Sequence, residues 1–160
     1  MYTYAVPQVD RVSFVSLVQT DVLHAEVVHT SQLRARVEQC LHSREPLAIV
    51  QAVSEYLPYL LGLYDCVLRD TILLRDDVHL TWHSMLVSSK FRLHGLLSEV
   101  CLMHMLYASS LRAEAATIVE ALGAYELGAH DRKACDDRLR VAIDLLCRAS
   151  GVCELSLIHI

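Results

Sequence analysis

Two histidines of this chain, His79 and His83, have the H-x-x-x-H spacing of a zinc-binding helix. In zinc peptidases with this motif, a glutamate directly follows the first histidine and acts as the general base. Leu80 occupies that position here. The segment also alternates in a β-prone pattern, and an extended chain places the two imidazoles only loosely on one side. The motif therefore does not predict a zinc peptidase.

A second candidate metal site consists of His94 and His104, with Cys101 between them. Metal sites in helical bundles use Glu-x-x-His pairs from facing helices. Glu99 precedes His104 by five residues rather than three, so we interpret these histidines as polar residues with partners in or near the core. A small helical-bundle metal-binding protein that uses His94 and His104 stays open as an alternative function. We predict no metal ligand and no cofactor.

Nothing else in the sequence predicts catalysis. The acid pairs Asp76–Asp77 and Asp136–Asp137 lie at expected turn or helix starts, where carboxylates cap free N–H groups. A phosphate-binding loop, a dinucleotide-binding glycine motif and a nucleophile elbow are all missing from the sequence. We therefore predict no catalytic residue and a protein that is not an enzyme.

The cysteines contain no C-x-x-C pair and fall mostly on apolar helix faces. This usage predicts small buried hydrophobic residues in a reducing cytoplasm rather than a disulfide framework. The six are Cys40, Cys66, Cys101, Cys135, Cys147 and Cys153.

Composition narrows the class of protein further. The 160 residues suffice for one domain with a core. Apolar residues make up 54% of the chain and charged residues 21%, with a mean hydropathy of +0.34, which is more apolar than an ordinary soluble domain. Either the helices are mostly buried, or part of their surface is meant to be covered by chain that lies outside these 160 residues. A net charge of −5 without a basic stripe argues against a nucleic-acid partner.

The hydrophobic pattern predicts no membrane span, because no run reaches about 20 apolar residues. Residues 1–11 lack the basic and apolar regions of a signal peptide, so we expect a cytoplasmic protein.

Hydrophobic spacing predicts four substantial antiparallel helices. The first runs from an N-cap at Thr20–Asp21 to about His42, and the second begins at Pro46. Pro58 should kink that second helix or end it near Leu57. The third begins at Ser88–Ser89 and ends near Ala121. In the first helix we assign Leu23, Val27, Thr30, Val37 and Leu41 to the inward stripe, and we place Arg34, Arg36 and Glu38 off it.

Short elements accompany these helices. We expect a short extended or β segment at 78–82, a short edge strand or extended lead-in at 2–6, and a turn or two of helix within 9–18. Trp82 is the single tryptophan, and we expect it to anchor its segment onto the helical core.

The fourth helix, Asp137–Glu154, follows Gly123 and Gly128 and is amphipathic. Its spacing predicts one buried stripe that packs on the third helix. The stripe consists of Leu139, Ala142, Ile143, Leu146, Ser150 and Cys153.

An ordered set of short motifs resembles the BRO domain of ALIX-like, ESCRT-associated endosomal-sorting adaptors. The stretch Glu55–Leu63 resembles the family's tyrosine- and leucine-rich helix, and Leu80–His83 resembles its Phe-x-Trp-x strand. Leu102–His104, followed by Ser110 and Ala113, resembles Leu-Phe-Asn…Ser-x-x-Ala.

The end of the chain continues this resemblance. Leu139–Ala142 and Ala149–Val152 resemble the family's Leu-Lys-x-Ala…Ala-Ala-Gly-Ile element. Order and spacing agree over about residues 47–154, whereas His104 stands at a usual Asn and Cys153 at a usual Phe. The signature that we carry over consists of Trp82, Leu102, Ser110, Leu139, Ala142, Ala149 and Gly151.

The resemblance implies a non-enzymatic adaptor with a tetratricopeptide-like helical scaffold. It implies a cytoplasmic, endosome-associated protein that binds the C-terminal helix of an ESCRT-III subunit in multivesicular-body sorting. The family's binding patch lies largely on helices that follow the position of Gly151, so we transfer no binding residue. A generic helical-repeat interaction module is a further alternative.

The last six residues, 155–160, read LSLIHI, which a common sequencing-adapter sequence encodes in frame. We therefore predict that residues 1–154 are the N-terminal portion of a truncated BRO-type domain and that 155–160 are a scar. Helix faces without partners would then lie exposed around Asp137–Glu154.

Overall fold

The computed structural model describes residues 7–19, 23–74, 78–83, 90–123 and 132–158. Within these ranges the chain is mainly α-helical, as predicted, and the four substantial helices are present. The elements are β1 (Gln8–Val9), α1 (Phe14–Leu17), β2 (Val18–Gln19), α2 (His24–Ser43), α3 (Pro46–Leu68), β3 (Leu73–Leu74), β4 (His79–His83), β5 (Lys90–His94), α4 (Gly95–Gly123) and α5 (Arg132–Ile158).

The chain divides into two compact units, residues 1–103 and 104–160. In the first unit, β1, β4 and β5 form an antiparallel sheet in the order β1-β4-β5. The strand predicted at 78–82 is confirmed as β4, where alternation sends Leu80 and Trp82 into the core. The segment at 2–6 and the turn expected at Asp76–Asp77 lie outside the described residues.

The predicted start of the third helix is wrong. Residues 90–94 form β5, paired with β4 from Lys90–His83 to His94–His79, and α4 begins only at Gly95. The apolar residues that follow Leu93 predicted a helix, and residues 90–94 were included in it because a stretch of five residues is too short to distinguish a helical pattern from a strand pattern. Gly95 has φ +78°, a conformation that suits glycine at this change from strand to helix. Ser88–Ser89 lie outside the described residues.

The turn of helix predicted within residues 9–18 is confirmed, and a short strand follows it. Only α1 is helical, and β2 follows it to pair antiparallel with β3. Phe14 is fully buried, and its backbone N–H donates to Ser31 Oγ at 2.9 Å. This contact ties the start of the chain to α2.

The helix α2 begins at His24 with Leu23 as its N-cap residue, so the predicted cap at Thr20–Asp21 is wrong. Thr20 and Asp21 themselves lie outside the described residues. The inward stripe also differs from the prediction, because Arg34 is buried and Leu23 is only half-buried. The buried residues are Val27, Thr30, Arg34, Val37 and Leu41.

The helix α3 begins at Pro46 as predicted and runs through Pro58 to Leu68, so no boundary falls near Leu57. It lies antiparallel to α2, since Arg36 pairs with Glu55 and His29 contacts Tyr59. By length and composition α3 would be able to cross a membrane. A core helix passes the same test, and α3 buries Ile49, Val50, Ala52, Val53, Tyr56, Leu60 and Leu63.

In the second unit, α5 runs antiparallel to the C-terminal part of α4. Arg148 Nη2 donates to the Tyr107 hydroxyl at one end, and Arg138 and Val141 lie beside Ile118 at the other. Of the residues predicted to form the buried stripe of α5, only Ala142 is buried. Ala142, Leu145 and Ala149 are buried, whereas Leu139, Ile143, Leu146, Ser150 and Cys153 are exposed.

Candidate functional site

Arg34 and Glu99 are the two charged side chains that are buried within the described residues, at 1% and 0% exposure. Arg34 Nε donates to Glu99 Oε1 at 2.9 Å, which makes a buried ion pair. Trp82 Nε1 donates to Glu99 Oε2 at 3.2 Å. Each carboxylate oxygen of Glu99 therefore has a donor, as a buried carboxylate requires.

The same guanidinium reaches a fourth segment. Arg34 Nη1 donates to the backbone carbonyl of Asp10, just after β1, at 3.0 Å. We call Asp10, Arg34, Trp82 and Glu99 the charge cluster. It joins the end of β1, α2, β4 and α4 through one carboxylate and one guanidinium. Water screens the attraction between the two buried charges very little. Removing either charged side chain therefore leaves the other buried without compensation, which strongly destabilises the fold.

Tyr56 of α3 belongs to the surroundings of this cluster. Burial raises the pKa of its hydroxyl well above the ordinary value; the negative charge of Glu99 adds to this rise and the positive charge of Arg34 opposes it. The Tyr56 hydroxyl and Arg34 Nη2 have no hydrogen-bond partner among the described residues. The hydroxyl therefore stays protonated at neutral pH.

The charge cluster has the chemistry of a structural clamp rather than of a catalyst. Its carboxylate is occupied on both oxygens and buried, so a substrate has no open path to it. Trp82 packs onto the helical core as predicted, at 1% exposure. From the sequence we placed Arg34 off the inward stripe and weighed Glu99 only as a metal ligand. The signal was the spacing 27, 30, 34, 37 and 41, in which position 34 continues the buried stripe.

Within the described residues, the histidines do not converge on a metal site. His79 and His94 face each other across β4 and β5, with ring centroids 4.6 Å apart at 80°. His83 Nε2 lies 3.2 Å from Asp10 Oδ1, and His104 is half-buried in α4. Across the ranges that the structure describes, no group of three His, Cys, Asp or Glu side chains is placed to hold a metal ion. No observation thus supports the alternative of a metal-binding protein at His94 and His104.

The cysteines are free thiols, as predicted, but they are less buried than predicted. Cys40, Cys66, Cys101 and Cys135 are half-buried. Cys147 and Cys153 are exposed on α5, because the face predicted to be inward lies outward.

The residues of the predicted family signature occupy helix-packing and strand positions. In the first unit Trp82 is buried and Leu102 half-buried. In the second unit Ser110, Ala142 and Ala149 are buried, whereas Leu139 and Gly151 are exposed. Their role as a signature stays a prediction.

An apolar groove of about 220 Å³ lies between the start of α2 and the end of α3. A Cβ added at Gly62 would meet no atom within 4 Å, so the groove is open there. Two of its lining residues, Glu26 and Tyr59, are exposed. Its lining consists of Leu23, Glu26, Val27, Thr30, Pro58, Tyr59, Gly62, Leu63, Cys66 and Ile72. Such a groove suits apolar side chains of a ligand or protein partner.

A second apolar surface lies on α5. Leu139, Ile143 and Leu146 are 41%, 58% and 45% exposed and follow one another at helical spacing. Together with the exposed Ser150 and Cys153 they form what we call the α5 outer face. Contiguous exposed apolar side chains of this kind mark contact surfaces or aggregation-prone ones.

The fold and these surfaces define a mainly helical protein that offers apolar surfaces for contact. The chain is similar to the "pH-response regulator protein palC" of Cryptococcus neoformans var. neoformans serotype D (strain B-3501A), with 28% identity over 178 aligned residues. The similarity covers 96% of this chain and 36% of the relative, so the chain spans about a third of that protein's length. No protein-family model and no solved structure matches the chain. The chain is thus distantly related to a regulatory protein.

Proposed function

We propose that this chain is the N-terminal portion of a BRO-type helical scaffold that acts in a pH response by binding other proteins, without catalysis. The observation that carries the proposal is the similarity to the pH-response regulator over 96% of the chain. The ordered motifs over residues 47–154 support the BRO-type assignment, and the mainly helical fold agrees with it. The proposed place of action is the cytoplasm, at the surface of endosomes.

The proposed partner is the C-terminal helix of an ESCRT-III subunit, bound as an amphipathic helix that lays its apolar stripe on a concave scaffold. The charge cluster fits such a role, because binding by a rigid surface requires its helices and strands to be held in place beforehand. The binding patch of the resembled family lies largely on helices that follow the position of Gly151. We therefore expect the isolated 160-residue chain to bind this helix weakly or not at all.

A chimera tests the regulatory role. The matched third of the Cryptococcus protein is replaced by this chain and expressed in a strain that lacks the natural protein. We expect growth across the pH range that the natural protein supports, and no such growth from a chimera that carries Glu99→Ala, which disrupts the charge cluster. A chimera that accumulates to the natural level without restoring growth would overturn the proposal.

The partner is tested separately by fluorescence anisotropy with a labelled ESCRT-III C-terminal helix. The functional chimera should bind the helix, and a variant of that helix with a charged residue in its apolar stripe should not bind. The 160-residue chain serves as the comparison. Tight binding to this chain alone would contradict the placement of the patch after Gly151, and failure of the chimera to bind would remove ESCRT-III as the partner.

A further inference from the structure

We propose that the α5 outer face binds a second copy of this chain, in an antiparallel helix pair with a twofold axis near Cys147. The proposal uses only side chains of α5 and concerns the 160-residue chain; under the proposed function, further helices of a longer protein would compete with the second copy for this face. The face is apolar and exposed, at Leu139, Ile143 and Leu146. A twofold contact requires a surface that is complementary to itself, so that residue i meets residue j and j meets i.

The charges on α5 meet this requirement. Arg140 and Glu154 lie on either side of the exposed Cys147, each seven residues away, which is about two helical turns. All three therefore line the same edge of the outer face. When a second α5 is laid antiparallel across Cys147, Arg140 of each copy lies opposite Glu154 of the other. Both side chains are exposed, and neither forms an ion pair within the described residues.

The side-chain sizes meet the requirement as well. Large residues, Leu139 and Ile143, occupy the first half of the face, and the smaller Ser150 and Cys153 occupy the second half. An antiparallel arrangement places the large side chains of one copy against the small ones of the other, which is how helix surfaces interdigitate. A parallel pair would place Arg140 against Arg140 and Glu154 against Glu154. Charge and size therefore both favour the antiparallel pair.

Charge reversal tests the orientation by sedimentation equilibrium of the purified 160-residue chain. We expect a concentration-dependent dimer, and roughly five- to thirty-fold weaker dimerisation for Arg140→Glu or Glu154→Arg alone, because two pairs become repulsive. The double variant Arg140→Glu with Glu154→Arg should restore dimerisation to within about threefold of the original. A chain that stays monomeric at high concentration, or a double variant as weak as the singles, would overturn the proposal.

Two matched variants test the location. Ile143→Arg, in the centre of the face, should abolish the dimer, whereas Leu155→Arg, an exposed apolar position off the face, should leave it intact. Circular dichroism melting establishes that both variants fold. A short bismaleimide should cross-link two wild-type chains through Cys147, should fail with Cys147→Ser, and should still act on Cys40→Ser. A dimer that survives Ile143→Arg, or cross-linking that survives Cys147→Ser, would place the contact elsewhere.

Discussion

At the scale of single residues, Arg34 and Glu99 have the largest expected effect on stability. Burying each charge costs free energy that is recovered only while the other remains in place. The exposed pair Arg36–Glu55 provides a natural comparison, since both of its side chains are about half exposed. Water and salt screen such a pair, so it contributes little.

We therefore predict that Glu99→Ala lowers the free energy of unfolding by about 3–5 kcal/mol, because the guanidinium of Arg34 stays buried without a counter-charge. Glu55→Ala, which breaks the exposed pair, should cost at most about 1 kcal/mol. Urea unfolding followed by circular dichroism measures both variants. Equal losses in the two variants would show that the charge cluster does not hold the core.

For Tyr56 we predict that a substitution raises the free energy of unfolding rather than lowers it. Its buried hydroxyl has no hydrogen-bond partner among the described residues, so Tyr56→Phe should raise the free energy of unfolding by about 1 kcal/mol at pH 7. Tyr59→Phe, at an exposed ring, is the control and should change it by less than about 0.5 kcal/mol. A loss of stability in Tyr56→Phe would mean that the hydroxyl is hydrogen-bonded after all.

The same residue predicts a dependence on alkaline pH. The pKa of Tyr56 is raised above its ordinary value of 10.0 in the folded chain, so folding favours the protonated form. The corresponding stability is complete below pH 10 and is lost as the pH rises through the folded pKa. Urea unfolding at a series of pH values should therefore show a steeper alkaline decline for the wild type than for Tyr56→Phe. Parallel declines would contradict the raised pKa.

At the scale of elements, α3 contains two prolines in different positions. Pro46 occupies the first turn, where a missing N–H costs nothing, while Pro58 lies inside the helix and removes one hydrogen bond of the ladder. The helix nevertheless continues to Leu68, because burial of one face of α3 outweighs the local cost.

We predict that Pro58→Ala raises the free energy of unfolding by about 1–3 kcal/mol, since alanine restores the N–H and the helix propensity. Pro46→Ala, at the helix start, should instead lower it by at most about 1 kcal/mol. Thermal melts of the two variants give the comparison. Destabilisation by Pro58→Ala would show that the proline ring packs in the α2–α3 groove with a larger benefit than the lost hydrogen bond.

At the scale of the whole molecule, each compact unit has its own internal stabilisation. The first unit contains the strands, α1 to α3 and the charge cluster, and the second contains the antiparallel pair of α5 and the later part of α4. The helix α5 continues past Glu154 to Ile158, so no break in secondary structure coincides with the predicted start of the scar at 155.

The origin of residues 155–160 stays a prediction with a measurable consequence. Leu155 is exposed, and a segment that was not selected with the fold should contribute little to its stability. We expect deletion of 155–160 to change the free energy of unfolding by less than about 1 kcal/mol, measured by urea denaturation. A loss of several kcal/mol would show that the segment belongs to the folded unit.

The sequence predicted a helix or strand correctly where one local preference governed that element. Four long helices, the start at Pro46, the end of the third helix near Ala121 and the strand at β4 followed from spacing, proline geometry and alternation. It was less informative for β5, because a short apolar alternation beside a long apolar helix has no distinct period. The strand forms because β4, the preceding strand of the chain, offers it a hydrogen-bonding partner, and the apolar spacing of residues 90–94 does not show that pairing.

In the candidate site too, some features were determined by the sequence and others only by the tertiary structure. The sequence by itself determined that the chain is helical, that no clustered motif predicts catalysis, and that Trp82 packs on the core, since all of these depend on residue type and neighbours. Only the tertiary structure decided that Arg34 pairs with Glu99, 65 residues away, and that Leu139, Ile143 and Leu146 face outward. The physical reason is that periodicity defines a helix face but not its neighbour. A face becomes core only where another element packs on it, and a charge can be buried only where folding brings its counter-charge.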